Sequence, residues 1–212
     1  MGREHEHRPF VQKQQKHPSR VSETSPPERP SPAVRRLRPA KAIGEVMLKV
    51  DHAGEHGAVC IYRAQRWVAR WRAPSVIEEI EDFIAHEQRH RALFAAELEK
   101  RGVRRCRSFH LCGLGGQVMG FVTGLVGARA IALTTEAVES VVLRHLEHQL
   151  ARLSSADPAA AAVISQIVSD EQEHHNRSAA RLSRVRPLDR LLTPAVRAAT
   201  EAVIWLGMWP NR

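Results

Sequence analysis

The chain has 212 residues, a formal charge of +9 and three cysteines (Cys60, Cys106 and Cys112). That length suits one domain with a tail, and an odd cysteine count without a C-x-x-C argues against a disulfide-framed secreted module and for reduced thiols. Residues 1–40 hold nine Lys/Arg against four Asp/Glu, leaving +4 for the rest of the chain; with no nucleic-acid motif and one tyrosine, the charge is weak evidence for nucleic-acid binding and fits an anionic membrane surface at least as well.

Residues 1–40 also carry seven of the twelve prolines and almost no apolar periodicity, the composition of a disordered tail. The segment lacks the apolar stretch of a secretory signal, and Glu4, Glu6, Glu23 and Glu28 make it a poor mitochondrial presequence. Apolar residues then recur at helical spacing from about Ile43 to Trp71, with Pro74 beyond. Ser75-Val76-Ile77-Glu78 reads as a capping box opening a helix that runs to about Arg101 and stops at Gly102. Leu111 to Ala128 is apolar and holds six glycines. A long helix resumes near Arg129 and continues to about Leu153. Asp157-Pro158 caps a further helix predicted to reach Val185. Thr193-Pro194 opens a last, short helix ending near Trp209. No stretch alternates as a strand does, so the expected fold is all-α: a tail over 1–40 and one domain over 41–212.

Within those helices, Glu55 precedes Glu87 by 32 residues, and Glu139 precedes Glu171 by the same distance. The later glutamate of each pair opens an E-x-x-H, Glu87-Gln88-Arg89-His90 and Glu171-Gln172-Glu173-His174. A helix, a turn and a returning helix occupy such a spacing and bring the second site level with the first. In an E-x-x-H both side chains project from one helix face about one turn apart. The pattern is that of a carboxylate-bridged di-iron or di-manganese site in a ferritin-like four-helix bundle. Four carboxylates and two imidazoles suit two divalent ions of Fe(II) or Mn(II) type, and without metal four buried acids would repel one another. The predicted metal ligands are Glu55, Glu87, His90, Glu139, Glu171 and His174, with Glu87 and Glu171 as bridges and one histidine per metal. Asp51, Asp170 and His145 are candidates for orienting a ligand or relaying a proton, weighed equally against a plain surface role. His52, His56, His86, His148 and His175 read as ordinary helix histidines.

Val50-Asp51-His52-Ala53-Gly54-Glu55-His56-Gly57-Ala58, then Ile61-Tyr62 and Gln65, resembles the signature of the demethoxyubiquinone hydroxylases of ubiquinone biosynthesis. Thr135-Glu136-Ala137-Val138-Glu139 and Asp170-Glu171-Gln172-Glu173-His174-His175 are similar to that family's later metal motifs in order and spacing. The likeness covers roughly residues 42–210. It implies a di-iron monooxygenase that uses O2 as co-substrate and an external reductant to hydroxylate the benzoquinol ring of a demethoxyubiquinol. It puts the six predicted ligands on the family's iron ligands and His145 on a histidine associated with the quinone site. Two positions depart from the family: His56 stands where many members have tyrosine, and Leu146 where some do, so Tyr62 is the only tyrosine left.

A lipid-soluble demethoxyubiquinol requires access to a bilayer. Gly116, Gly120 and Gly124, continued by Ala128 and Ala132, form a small-residue stripe suited to close helix contact. The surrounding apolar residues span about 27 Å as a helix, marginal for a membrane crossing. A segment that dips into the interface is therefore expected, assisted by Trp205 and Trp209. The implied location is peripheral, on the cytoplasmic face of a bacterial membrane or, as the alternative, the matrix side of the mitochondrial inner membrane. Implied partners are the membrane, an accessory lipid-binding protein of ubiquinone biosynthesis and a second copy of the chain; nucleic acid is not among them. No Rossmann glycine fingerprint is present. The rival enzyme reading is a ferritin- or rubrerythrin-like iron oxidase or peroxidase, and a third reading is a basic helical membrane adaptor without metal.

Overall fold

The structure, a computed structural model, describes residues 39–182 and 184–208. The expected disordered tail lies outside them except for Pro39 and Ala40, which are already helical. Among the described residues there are seven α-helices and no strand: α1 (Pro39–Arg72), α2 (Ile77–Lys100), α3 (Phe109–Val126), α4 (Ala128–Leu153), α5 (Pro158–Ser165), α6 (Val168–Ala180) and α7 (Pro187–Met208).

The bundle is built by α1, α2, α4 and the α5–α6 pair. Ion pairs fix the directions. Arg66 meets Glu81, and His90 lies beside Glu55, so α2 runs antiparallel to α1. Tyr62 reaches Glu139 while Gln149 reaches Asp51, so α4 is also antiparallel to α1. Consequently α2 and α4 point the same way, and the chain must cross the length of the bundle between them. Helix α3 is that crossover. Its glycines line up in order along α1: Gly116 against Gly57 and Cys60, Gly120 against Ile61, Gly124 against Gln65 and Val68. The stripe read from the sequence is thus the line along which α3 lies parallel to α1. Helix α7 follows α4 in parallel, with Arg129 on Asp189, Glu136 on Arg197 and His145 on Glu201.

Two apolar cores flank the middle of the bundle. One gathers Tyr62, Ile80, Phe83, Ile131 and Val196; the other gathers Leu48, Phe94, Leu146, Leu153, Ile164 and Ile167. Arg101 closes the second end: its guanidinium donates to Glu97 and to both oxygens of Asp157, which also caps α5 by accepting from Ala160 N.

Several boundaries differ from expectation. The Ser75 capping box does not form: Pro74 opens a single 3-10 turn over Pro74–Val76, and no side chain caps α2. Gly102 does stop α2, at φ 65°, and the amides of Gly102 and Val103 bond back to Glu99 and Leu98 as in a Schellman motif. The single helix expected from Pro158 to Val185 is broken at Gln166–Ile167 and ends at Ala180. The β-branched run Val163, Ile164, Ile167 and Val168 favours helix weakly, and the break is spanned by shorter bonds from Gln166 to Val163 and from Ile167 to Ile164. The last helix is not short: it starts at Pro187, where Asp189 accepts from the Arg186 amide, and it carries Pro194 inside. Trp209 lies outside the described residues.

Candidate metal centre and cavity

Glu55 on α1, Glu87 and His90 on α2, Glu139 on α4 and Glu171 and His174 on α6 are all buried, none more than 6% exposed. The structure brings together all six residues that spacing alone had linked. Donor atoms of Glu55, Glu87, His90 and Glu171 lie within 4.8 Å of one another, and so do those of Glu87, Glu139, Glu171 and His174. Glu87 and Glu171 belong to both groups. The break between α5 and α6 places Asp170 and Glu171 in the first turn of α6, where the helix end favours negative charge.

The donors converge without satisfying one another. His90 Nδ1 lies 2.9 Å from Glu171 Oε1, and His174 Nδ1 lies 3.3 Å from Glu87 Oε1. Those separations would allow hydrogen bonds, yet the angles do not: all four atoms are sealed from solvent and have no hydrogen-bond partner. Such orphaned polar atoms, at the meeting point of carboxylate and imidazole side chains, fit two divalent cations of the iron or manganese type.

Charge in the cluster follows the same logic. Burial, and next the Glu87 carboxylate, pushes Glu55 well above the usual carboxylate range; burial and then Glu171 does the same to Glu139. Burial opposes a charged His90, but Glu171 and Glu55 lift it to about 11. His174 likewise overcomes burial through Glu171 and Glu87 and rises to about 9. Burial would raise Glu171, but His174 and His90 hold it below its ordinary value. Protons therefore supply the compensating positive charge that bound cations would replace, so metal uptake here would release protons.

A further set of contacts orients the donors. Asp170 Oδ2 accepts from His90 Nε2 and from Arg89, both at 3.1 Å. His174 Nε2 shares a 3.0 Å hydrogen bond with His86 Nδ1, and His86 in turn lies 3.5 Å from Asp82. Tyr62 donates to Glu139 Oε1 at 2.9 Å. His86 and Tyr62 were missed as site residues in the sequence. The signal existed: His86 precedes His90 by four residues and Tyr62 follows Glu55 by seven, each on the face of a predicted ligand.

From the carboxylates a cavity of about 630 Å³ runs outward between α1, α3, α4 and α7. Its walls are mostly apolar (Ala58, Ile61, Val138, Val142 and Val196 among them), and Glu55, Glu87, Glu139 and Glu171 form its inner end. Polar groups are few. Gln149 donates to Asp51 Oδ1 at 2.9 Å, while Asp51 Oδ2 and Gln149 Oε1 have no partner. Burial, against the Gln149 hydrogen bond, pushes the Asp51 carboxyl up to about 7. His145 lines the cavity too, and its Nε2 donates to Glu201, which also holds Arg144. Nothing in the sequence marked Gln149 or Glu201. Of the cavity's lining, α3 exposes Leu111, Val118 and Val122 and α7 exposes Val203; Leu114, Trp205 and Leu206 are exposed on the same two helices. Among the described residues α3 is the one helix long and apolar enough to cross a membrane.

Comparison with known proteins bears on the same residues. A model of the family described as "Ubiquinone biosynthesis protein COQ7" matches residues 42–207. The chain is 31% identical over 171 residues to an NADPH-dependent 3-demethoxyubiquinone 3-hydroxylase, mitochondrial, of Dictyostelium discoideum, covering 79% of this chain and 77% of the relative. It is 30% identical over 188 residues to a 3-demethoxyubiquinol 3-hydroxylase of Rhodospirillum rubrum, covering 89% and 84%. The mouse mitochondrial NADPH-dependent 3-demethoxyubiquinone 3-hydroxylase is 30% identical over 172 residues, covering 79% and 78%. A match that takes in every helix of the bundle, with relatives aligned over most of both chains, makes this chain a member of the COQ7 family of ubiquinone-biosynthesis proteins.

Proposed function

We propose that the protein is a demethoxyubiquinol hydroxylase: it holds two irons on Glu55, Glu87, His90, Glu139, Glu171 and His174 and hydroxylates a benzoquinol ring brought to them through the cavity. The observation that carries the reading is the apolar cavity of about 630 Å³ ending on the six-residue cluster. A storage or detoxifying iron oxidase has no use for such an apolar entry. Irons bound at the cluster supply the redox chemistry that activates O2 for insertion of one oxygen atom. Glu87 and Glu171 belong to both groups of donors, so each would serve both metals.

The protein's own groups do the rest. The apolar walls exclude water and seat the ring and the first part of its isoprenoid tail. Asp51 Oδ2 and Gln149 Oε1, two unpartnered acceptors in the cavity, receive hydrogen bonds from quinol hydroxyls and orient the ring. Asp51, near its midpoint at neutral pH, can take or return a proton. His145, held by Glu201, lies on the same wall, and Asp170 fixes the tautomer of His90. Electrons come from an external reductant; the Dictyostelium and mouse relatives are named NADPH-dependent.

The substrate's tail lives in a bilayer, so the exposed apolar faces of α3 and α7 rest on the membrane surface with the cavity open to it. The location is the cytoplasmic face of a bacterial membrane, the matrix face of the mitochondrial inner membrane being the alternative. An accessory lipid-binding protein and a second copy of the chain are further partners for these faces. The deciding experiment is anaerobic iron loading of the full chain, then O2 and a demethoxyubiquinol analogue. About two irons per chain, with a product one oxygen atom heavier, is the expected result. Two irons oxidised without quinol product would shift the assignment to an iron oxidase or peroxidase, and no bound iron would refute both.

A further inference from the structure

The chain carries no carboxylate between Glu99 and Glu136, and the first half of that stretch is rich in arginine. It folds into the turn after α2 and the start of α3, against the middle of α1. Several arginines of the bundle are tied to acids: Arg66 to Glu81, Arg89 to Asp170, Arg129 to Asp189, Arg197 to Glu136. Arg63, Arg91 and Arg105 have no carboxylate within ion-pair distance among the described residues. Instead they surround histidines. Arg91 donates to His56 Nδ1 at 3.3 Å, Arg105 donates to His110 Nε2 at 3.0 Å, and the Arg105 guanidinium lies 4.8 Å above the Phe109 ring. The His56 ring stacks on the same Phe109, with centroids 3.9 Å apart.

Beneath this layer His52 also stacks against Phe109, at 5.1 Å, and is only 8% exposed. Its Nδ1 is buried and has no hydrogen-bond partner. Burial, then Arg91, His56 and Arg105, pushes His52 down to about 4. Phe109 is the first residue of α3, whose first turn has no acidic residue and no side-chain cap, so the positive end of that helix adds to the same point. A cluster of unpaired cations, a helix N-terminus and a buried, unsatisfied ring nitrogen all call for an anion with several acceptor oxygens.

What surrounds the cluster identifies the anion's source. Arg63 stands at one end of a surface groove of about 520 Å³ between α1 and α3, continued by Trp67, Leu114, Val118 and Phe121. A headgroup phosphate on the arginines would leave acyl chains to follow that apolar groove, whereas a soluble phosphate has no use for it. We propose that Arg63, Arg91, Arg105, His52, His56 and His110 bind the headgroup phosphate of an anionic phospholipid at the start of α3. The inference rests on the membrane-surface reading above and adds its lipid class and anchoring residues.

The test uses the full-length protein and sedimentation with phosphatidylcholine vesicles, with and without phosphatidylglycerol. Wild type should partition onto phosphatidylglycerol vesicles more strongly, and Arg91→Gln/Arg105→Gln should lose roughly tenfold of that affinity or more, while keeping helical circular dichroism and metal stoichiometry. Arg63→Gln/Arg105→Gln, which changes two exposed side chains, should show the same loss and serves if the first variant misfolds. The basic N-terminal segment is common to all three proteins and cancels. Equal binding of wild type to both vesicles, or variants that bind phosphatidylglycerol as wild type does, would overturn the proposal and leave membrane association standing. Binding to neither vesicle would overturn membrane association itself. Inorganic phosphate that raises the melting temperature of wild type but not of the variants, without any vesicle preference, would assign the cluster to a soluble anion and overturn the lipid.

Discussion

The seating of α3 on α1 predicts opposite effects for one substitution made at two glycines of the same helix. A Cβ added to Gly120 would lie 2.1 Å from the Ile61 carbonyl oxygen and 2.8 Å from its carbon. Both are far inside the separation of about 3.5 Å at which non-bonded atoms attract. The obstacle is backbone, so no rotamer change relieves it, and α3 must lift from α1. Overpacking costs about 1–3 kcal/mol, and a backbone obstacle this close puts the site at about 2–3 kcal/mol, against a helix-propensity gain of about 1 kcal/mol for alanine over glycine. Gly120→Ala should therefore be destabilised by about 1–2 kcal/mol net. Gly115→Ala should be stabilised by about 0.5–1 kcal/mol, since that glycine is exposed and a Cβ there meets nothing within 4 Å. Thermal unfolding followed by circular dichroism resolves the difference, because a domain of this size moves about 2–4 °C per kcal/mol. The expected pattern is a drop of about 2–8 °C for Gly120→Ala and a rise of about 1–4 °C for Gly115→Ala. If Gly120→Ala melts at or above wild type, the close parallel packing of α3 on α1 is refuted.

Asp51→Asn should change how stability depends on pH. The folded-state value of Asp51, about 7 against an ordinary 3.8, means that the wild-type carboxyl costs nothing below about pH 4 and progressively weakens the fold as pH rises through 7. Paired urea melts should show the variant equal to wild type near pH 4 and about 1–3 kcal/mol more stable at pH 8, the full shift being reduced by the cavity's access to solvent. Asp170→Asn should leave the number of metal sites unchanged while weakening cobalt(II) or iron(II) affinity about 10–100-fold, because it loosens His90 without removing a donor; equilibrium dialysis measures it. Arg101→Met leaves Glu97 and Asp157 without their shared, buried partner and should cost about 3–5 kcal/mol in chemical unfolding.

The six-residue cluster was legible because its information is local and repeated. An E-x-x-H needs only one turn of helix to make sense, and the equal 32-residue spacings carry the rest. The helices were legible where a strong stop marked them, as at Gly102 and Asp157. They were misread where one local signal overrode another. Ser75 loses to the neighbouring Pro74. Pro194, taken as a first-turn residue, sits inside α7 because Pro187 and Asp189 open that helix earlier. The break at Gln166–Ile167 had only a β-branched run to announce it. Gln149 and Glu201 could not be found at all, since each acquires its meaning from a partner on another helix, Asp51 and His145.

Because α3 is the crossover between two bundle helices that point the same way, it cannot be trimmed from the protein like a surface loop. Deleting it would demand another connection as long as the bundle, or a reversal of α4 that would carry Glu139 away from the other donors. Engineering a version that stays in aqueous solution therefore has to leave the helix, its glycine line and its ends in place. Only the outward residues, such as Leu111, Leu114, Val118, Phe121 and Leu125, are open to polar replacement. The same constraint explains how one covalent segment can serve two masters: its glycine face belongs to the fold, and its leucine and phenylalanine face is free to vary with the surface it meets.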